Sequence, residues 1–359
     1  MSPDPRDIDW LRRLPKTDIH CHLDGSLRPQ TVLDLSRQYK VKLPADTLEG
    51  ITPLVQVGPT CGSLREFLDV FDVIYPLLRH PAAVERIAYE LVEDCALENI
   101  RHVEVRLAPE LQALSSFDSE KVLEATLKGL DRGARDFGTT SSVIVCLFRA
   151  HGPAENRRAF GALKRLFRPQ TKLSQPAVVG VDLAGDEARY PTIQFASFFE
   201  EAQELGIHTT CHAGETLGTA NLEAALQLSV MRIGHGIHLM EDQRLLAEVV
   251  RRKVPLEVGI TSNVSTKSVP NLASHPARTF HQAGVPVTLN TDDRGILGID
   301  LTHEYGQAVA LGFSLEELAG IALGSIDHLF LPAPERARLK LAFESEIATM
   351  LPRAGRALA

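Results

Sequence analysis

Two histidines one residue apart, His20 and His22 in KTDIHCHLDGS, are the first residues of this chain suited to metal chemistry. On a strand, positions i and i+2 face the same side. Both imidazoles can then reach one metal ion at ~2.0–2.1 Å. With 13 His among 359 residues, one such pair is unsurprising by chance, so its meaning depends on partners elsewhere. His212-Ala213-Gly214-Glu215 offers a third imidazole and a carboxylic acid able to move a proton. His235 stands between two glycines in RIGHG, where glycine lets a ligand approach the backbone closely. Asp292 and Asp293 are adjacent carboxylates, which repel unless a cation or hydrogen bonds compensate. Gly185 in DLAGDE can present a backbone N–H to a ligand. Each cluster alone also fits a plainer role, such as a packed strand-end His, a solvated Glu or a helix-capping Asp. Taken together, three neutral imidazoles and one carboxylate form a set suited to zinc, with a position left for water.

Something must bring these clusters together. Short β-rich runs fall at Asp18–Leu23, Val103–Leu107, Ser142–Phe148, Val178–Leu183, Thr209–His212, Met231–Gly234, Leu256–Ile260 and Val285–Asn290. Runs such as VVGVDL and VIVCLF are nearly all apolar, as strands buried on both faces should be. Between them, helical periodicity marks Pro81–Glu98, Glu120–Phe137, Asn156–Phe167, Thr192–Leu205, Ala220–Leu228 and Asp242–Lys253. Eight strands with crossovers of this length predict an α/β fold, a (β/α)8 TIM-type barrel. An open doubly wound sheet is the alternative. Residues 33–78 hold more helical sequence than one crossover needs and predict a helical insertion after strand one. Residues 314–351 predict a helical C-terminal extension. No linker or repeat divides residues 1–359, so a single domain is expected. In such a barrel, the ends of strands one, four, five, six and eight converge on one face with all the clusters above.

Composition narrows the classes. Hydrophobic residues make up 44% and charged residues 23%, which argues against disorder. The formal net charge is −8 with no basic stripe, a poor match for nucleic acid. The N-terminus lacks a secretory apolar segment, and no run is long enough to span a membrane. A cytoplasmic protein without membrane or nucleic-acid partners is expected. Five cysteines without a C-x-x-C spacing predict neither a disulfide framework nor a cysteine zinc site. Oligomeric state is left open.

The pieces LPKTDIHCHLDGSLRPQT, VGVDLAGDE, HAGE, RIGHG, SNV and LNTDD run in order from Leu14 to Tyr305. In this the chain resembles the adenosine deaminase family of the amidohydrolase superfamily. The resemblance implies the same barrel and a single zinc ion held by His20, His22, His212 and Asp292. It assigns proton donation to Glu215 and a catalytic role to His235 with Asp292, which orient a water and help remove its proton. It places His22, Asp24, Gly185 and Asp293 against the substrate: Asp293 at N7 and Gly185 at N3 of a purine, His22 and Asp24 near the ribose. The implied reaction is hydrolytic deamination of a 6-aminopurine nucleoside, adenosine or 2′-deoxyadenosine, to inosine or its deoxy analogue plus ammonia. Strand four has no lysine to bridge two metals, which favours one metal over two.

The match departs from the family beside the site. Arg294-Gly295 follows Asp293 where many members have Pro, and Gly259-Ile260-Thr261 stands where Cys-Pro is frequent. These departures leave substrate identity open. One alternative is 6-aminodeoxyfutalosine, whose benzoate Arg294 would pair; the plainer role for Arg294 is a solvated loop residue. A more distant alternative is an inactive nucleoside-binding barrel. The stretch Leu64–Phe71 has apolar residues at helical spacing, fitting either core packing or a lid over the purine.

Overall fold

A computed structural model describes residues 4–57, 61, 67, 69–168, 172–216 and 218–350. Eight parallel strands run in sequence order: β1 (Lys16–His22), β2 (Ile100–Leu107), β3 (Thr140–Phe148), β4 (Val178–Ala184), β5 (His208–Ala213), β6 (Arg232–His235), β7 (Leu256–Val258) and β8 (Val287–Leu289). This is the TIM-type (β/α)8 barrel expected, and the open doubly wound sheet is excluded. β8 returns to β1 through a bridge between Asp292 and Cys21 rather than a full ladder. Strand ends differ from expectation by one to three residues where local chemistry intervenes. β7 stops at Val258 because Gly259 leads into a short helix, Ile260–Ser265. β8 starts after Pro286, which has no N–H to give a ladder.

The strands alternate in what they carry. On β2, Val103, Val105 and Leu107 join the apolar core under the helices. Glu104 and Arg106 point the other way, into the barrel, where Arg106 meets groups from β1, β4 and β7. The barrel interior is therefore polar, which an all-apolar strand pattern does not suggest.

Helices enclose the barrel. Ser119–Phe137 shows how the chain marks its ends: Asp118 accepts the Lys121 N–H at 3.1 Å, and Gly138 ends the helix at φ 84°. After β1 come Pro29–Tyr39, Leu48–Val55, Phe71–Ile74 and a 3-10 turn at Tyr75–Leu78, in the region expected for the insertion. At the other end, Leu315–Ser325 and Ala333–Met350 form the C-terminal helices. The turn between them closes the N-terminal mouth of the barrel. There Phe330 packs under Arg232, 3.5 Å from the guanidinium carbon, and stacks on His208. No described helix is long and apolar enough to cross a membrane.

Candidate functional site

A cavity of about 320 Å³ opens at the C-terminal ends of the strands. Its floor gathers the histidines. His20 Nε2 lies 3.1 Å from His212 Nε2, and His22 Nε2 lies 3.2 Å from the same atom. Asp292 Oδ1 is 3.2 Å from His20 Nε2 and 3.4 Å from His22 Nε2. A tetrahedron with metal–ligand bonds of ~2.0–2.1 Å has edges of ~3.3–3.4 Å. These four separations, 3.1–3.4 Å, are close to such edges. His235 is also close: one donor atom each from His20, His212, His235 and Asp292 lie within 4.8 Å of one another. His235 thus stands beside these ligand candidates as a further imidazole, while His22 lies outside that mutually close group.

The ring nitrogens facing away from this cluster are held by carboxylates. His20 Nδ1 is 2.8 Å from Glu257, and His212 Nδ1 is 3.0 Å from Asp182. Such partners keep the proton on Nδ1 and leave Nε2 free to ligate. Glu257 and Asp182 are joined through Arg106, 2.8 Å from each. Glu257 also meets Arg232 at 2.6 Å, and Arg232 meets Glu104 at 2.6 Å. All five charged residues are buried. Sequence reasoning missed this chain, although one signal was present: charged residues at alternate positions in otherwise apolar strands. Asp292 completes the electrostatics. Burial alone would raise its carboxyl, but His20, through its charge and a hydrogen bond, outweighs that and holds it well below the usual carboxylate range. Burial and Arg106 push His20 down, yet Asp292 and Glu257 prevail and raise it to about 9. The cluster attracts positive charge.

Two site residues adopt left-handed backbone, His235 at φ 63° and Asp292 at φ 60°. This costs about 1–2 kcal/mol each for a non-glycine residue. His235 is the last residue of β6, and Asp292 follows β8 at the bridge to Cys21. Glycine clears space nearby. A Cβ on Gly234 would lie 2.9 Å from His20 Cε1, and one on Gly25 only 1.7 Å from Asp293 Oδ1. Asp292 Oδ2 accepts the Ser262 hydroxyl at 2.7 Å. Glu187 accepts the N–H groups of Gly214 and Thr216 at 2.9 and 2.6 Å, bracketing Glu215 in its turn.

The cavity wall carries acids rather than bases. Burial pushes Glu215 up, with His235 opposing. Asp293 is raised well above the usual range by burial and by the charges of Asp292, Asp24 and Glu215. Asp293 Oδ1 is buried with no hydrogen-bond partner in the protein. Both carboxyls are biased toward the protonated form, which donates a hydrogen bond. Asp24 accepts the Tyr75 hydroxyl at 3.2 Å, and burial raises its carboxyl to about 6. Gly185, at φ 102°, lines the cavity beside Phe148.

The structure therefore gathers His20, His22, Asp24, Gly185, His212, Glu215, His235, Asp292 and Asp293 at one site. Arg294 does not join them. It is buried, bonds Glu98 at 2.6 Å and approaches Cys95 Sγ at 3.5 Å. It is neither solvated nor turned to the cavity, because Glu98 neutralises it inside the protein. Cys21 and Cys211 stay protonated, their thiols pushed by burial to about 12. Phe67 and Phe71 line the cavity as a lid would; Leu64, Arg65, Glu66 and Leu68 lie outside the described residues.

Known proteins are similar to this chain along most of its length. The family model described as adenosine deaminase matches residues 15–345. An adenosine deaminase from Shigella flexneri is 37% identical over 330 residues, 91% of this chain and 97% of that protein. The crystal structure of adenine deaminase from Arthrobacter aurescens is 25% identical, with a TM-score of 0.84 over 93% of this chain and 99% of that one. An Arabidopsis ADAL structure complexed with IMP is 26% identical, with a TM-score of 0.82 over 96% of this chain and all of that one. Identity across nine-tenths of the chain, together with a His/Asp cluster at the expected face, shows that the chain belongs to the adenosine deaminase family and is a deaminase.

Proposed function

We propose that this protein hydrolytically deaminates a 6-aminopurine nucleoside, adenosine or 2′-deoxyadenosine, using one zinc ion. The carrying observation is the pairing of a three-imidazole, one-carboxylate cluster with two buried carboxyls, Glu215 and Asp293, both biased toward protonation. The purine ring nitrogens N1, N3 and N7 are acceptors, and this wall can offer each a donor. Glu215 donates to N1, Asp293 to N7 and the Gly185 N–H to N3.

His20, His22, His212 and Asp292 would hold the ion, since four of the separations between their donor atoms already match tetrahedral edges. Zinc supplies a Lewis acid that lowers the pKa of water toward ~7. Asp292 and His235 flank the point of attack and orient the incoming oxygen toward C6. As the C6–O bond forms, ring aromaticity breaks and N1 takes a proton from Glu215. Asp292 takes the proton released by the water and passes it to the amino group; the C6–N6 bond then breaks, ammonia leaves, and the C6 hydroxyl returns its proton to Glu215 as the carbonyl forms. Phe67, Phe71 and Phe148 exclude bulk water, which strengthens each hydrogen bond. All seven polar groups of the reaction are gathered at this site, which favours an enzyme over a binding barrel. Residues 1–359 would act as one catalytic domain.

Charge favours a nucleoside over a nucleotide. The described cavity residues include Asp24, Asp72 and Asp293 but no Lys or Arg. A 5′-phosphate would meet carboxylates without a countercharge. The benzoate of 6-aminodeoxyfutalosine loses its expected partner because Arg294 is committed to Glu98. The test is a substrate panel of adenine, adenosine, 2′-deoxyadenosine, AMP and 6-aminodeoxyfutalosine. It is followed by the ultraviolet change on deamination, before and after chelation. Adenosine should have the highest kcat/KM, with activity lost on chelation. Preference for AMP, or two tightly held metals per chain by elemental analysis, would overturn the proposal.

A further inference from the structure

One arrangement behind the cavity bears on the role of His235. Asn263 Nδ2 lies 3.0 Å from His235 Nδ1, and Asn263 Oδ1 lies 3.2 Å from His275 Nε2. The Ala277 backbone N–H points at His275 Nδ1 from 3.2 Å. All three side chains are buried. We propose that Ala277, His275 and Asn263 form a relay that fixes His235 with its proton on Nε2, making it a hydrogen-bond donor at the site rather than a metal ligand or a base.

The assignment starts from the backbone, which leaves no choice of donor. The Ala277 N–H can only donate, so His275 Nδ1 must accept and carries no proton. The His275 proton is then on Nε2. That N–H donates to the oxygen of Asn263, which sets the orientation of the amide. The Asn263 NH2 therefore faces His235 Nδ1, and Nδ1 must be the accepting nitrogen. The proton of His235 lies on Nε2, the atom 3.7 Å from Glu215 Oε2. Flipping the amide would set two N–H groups against each other at His275. Protonating His235 on both nitrogens would do the same at Asn263 Nδ2.

Two consequences follow. A protonated Nε2 cannot bind a metal, so the relay withdraws His235 from the donors near the site and leaves ligation to the proposed set of His20, His22, His212 and Asp292. Neither can this nitrogen take a proton from the attacking water. On this proposal His235 takes no share in removing that proton: Asp292 accepts it, and His235 donates a hydrogen bond to the same oxygen. Asn263 and His275 are positioning residues, since neither touches the reacting atoms. This rests on the deaminase mechanism proposed above only for its effect on turnover.

The tautomer itself can be read without substrate. In protein labelled with 15N-histidine, a protonated ring nitrogen and a lone-pair nitrogen resonate at opposite ends of the 15N range. A His235→Gln spectrum identifies the pair that belongs to His235. The zinc-loaded protein should show Nδ1 as the lone-pair nitrogen; a proton on Nδ1 would overturn the relay whatever the substrate proves to be. Asn263→Asp keeps the shape but only accepts, so it should reverse the two shifts and lower kcat about 10²–10⁴-fold, the scale of a wrong-tautomer histidine. Unchanged kcat with reversed shifts would overturn the donor role. His275→Gln keeps an N–H for Asn263 and should stay within about threefold of wild type, whereas His275→Ala should fall well below it. Equal losses in these two variants would mean mere packing and would also overturn the proposal.

Discussion

Replacing Glu257 by glutamine tests whether the buried charges behind the histidines serve the metal or only the fold. Glu257 stands at the middle of the chain Glu104–Arg232–Glu257–Arg106–Asp182, whose links are 2.6, 2.6, 2.8 and 2.8 Å. Three carboxylates and two guanidiniums leave this chain with one negative charge. Asp292 adds a second, so a divalent cation on neutral imidazoles makes the assembly neutral. In Glu257→Gln, His20 Nδ1, Arg106, Arg232 and Thr210 compete for one amide oxygen. Breaking a buried ion pair by removing one partner costs about 3–5 kcal/mol. Losing the carboxylate behind a ligating histidine lowers metal affinity about 10–100-fold, or ~1.4–2.8 kcal/mol. Glu104→Gln separates the two effects. Glu104 pairs with Arg232 and accepts the Phe330 N–H, but contacts no metal-facing histidine. Both variants should unfold at lower denaturant when measured free of metal. Competition against a chromophoric zinc chelator should show the affinity loss in Glu257→Gln alone, with Glu104→Gln within about threefold of wild type. Equal affinity losses in both, or wild-type affinity in Glu257→Gln, would refute this account.

Glu215→Gln should retain zinc but lose about 10²–10⁴ in kcat, because the amide cannot give N1 a proton; retained turnover would contradict the assignment. Since burial raises Glu215 and its protonated form is the active one, wild-type kcat/KM should fall as pH rises through that raised pKa. A profile flat across the neutral and alkaline range would count against it. Gly25→Ala places a methyl 1.7 Å from Asp293 Oδ1 and should raise KM without loss of zinc, read by steady-state kinetics and metal analysis. Asp18 is buried, and its carboxyl is raised to about 6 from an ordinary 3.8. The folded state binds that proton more tightly, so its stabilising contribution is full below the unfolded value and is lost as pH climbs through about 6. The change is about 3 kcal/mol. Asp18→Asn should flatten that part of the stability profile in urea titrations of chelated protein; an unaltered slope would show that Asp18 does not carry it.

Much of this molecule was legible because buried parallel strands announce themselves as apolar runs, and because site residues follow the ends of those runs. VVGVDLA and HTTCHA became β4 and β5 with their polar residues where expected. The rest depended on register. Nothing local to IRHVEVRL tells Arg106 that it will face Asp182 and Glu257, which are 76 and 151 residues away. Arg294 was misjudged for the same reason: its partner Glu98 lies 196 residues back in the chain. Asn263 was visible in the SNV run, but His275, which orients it, carried no signal of its own. Left-handed His235 and Asp292 were also beyond reach, since neither residue type demands that conformation.

The strain at Asp292 and the closure of the barrel have one physical origin. β8 and β1 meet without a regular ladder among the described residues, and the backbone of Asp292 spans the gap. Its N–H donates to the His20 carbonyl at 2.8 Å, and its carbonyl accepts the His22 N–H at 2.7 Å. Thr291 adds a hydroxyl bond to Asp18 at 2.6 Å, and Asn290 Oδ1 accepts the Ile19 N–H at 3.0 Å. Two backbone hydrogen bonds, each worth about 1 kcal/mol net, are of the size needed to offset one left-handed residue. The seam thus holds Asp292 in a conformation it would not keep alone. That conformation in turn aims Oδ1 at the two histidines of the opposing strand. Metal binding and barrel closure then act on the same residues. An ion held by His20, His22 and Asp292 would tie β1 to β8 through side chains where the two strands lack a regular ladder, and His212 would anchor that tie to β5.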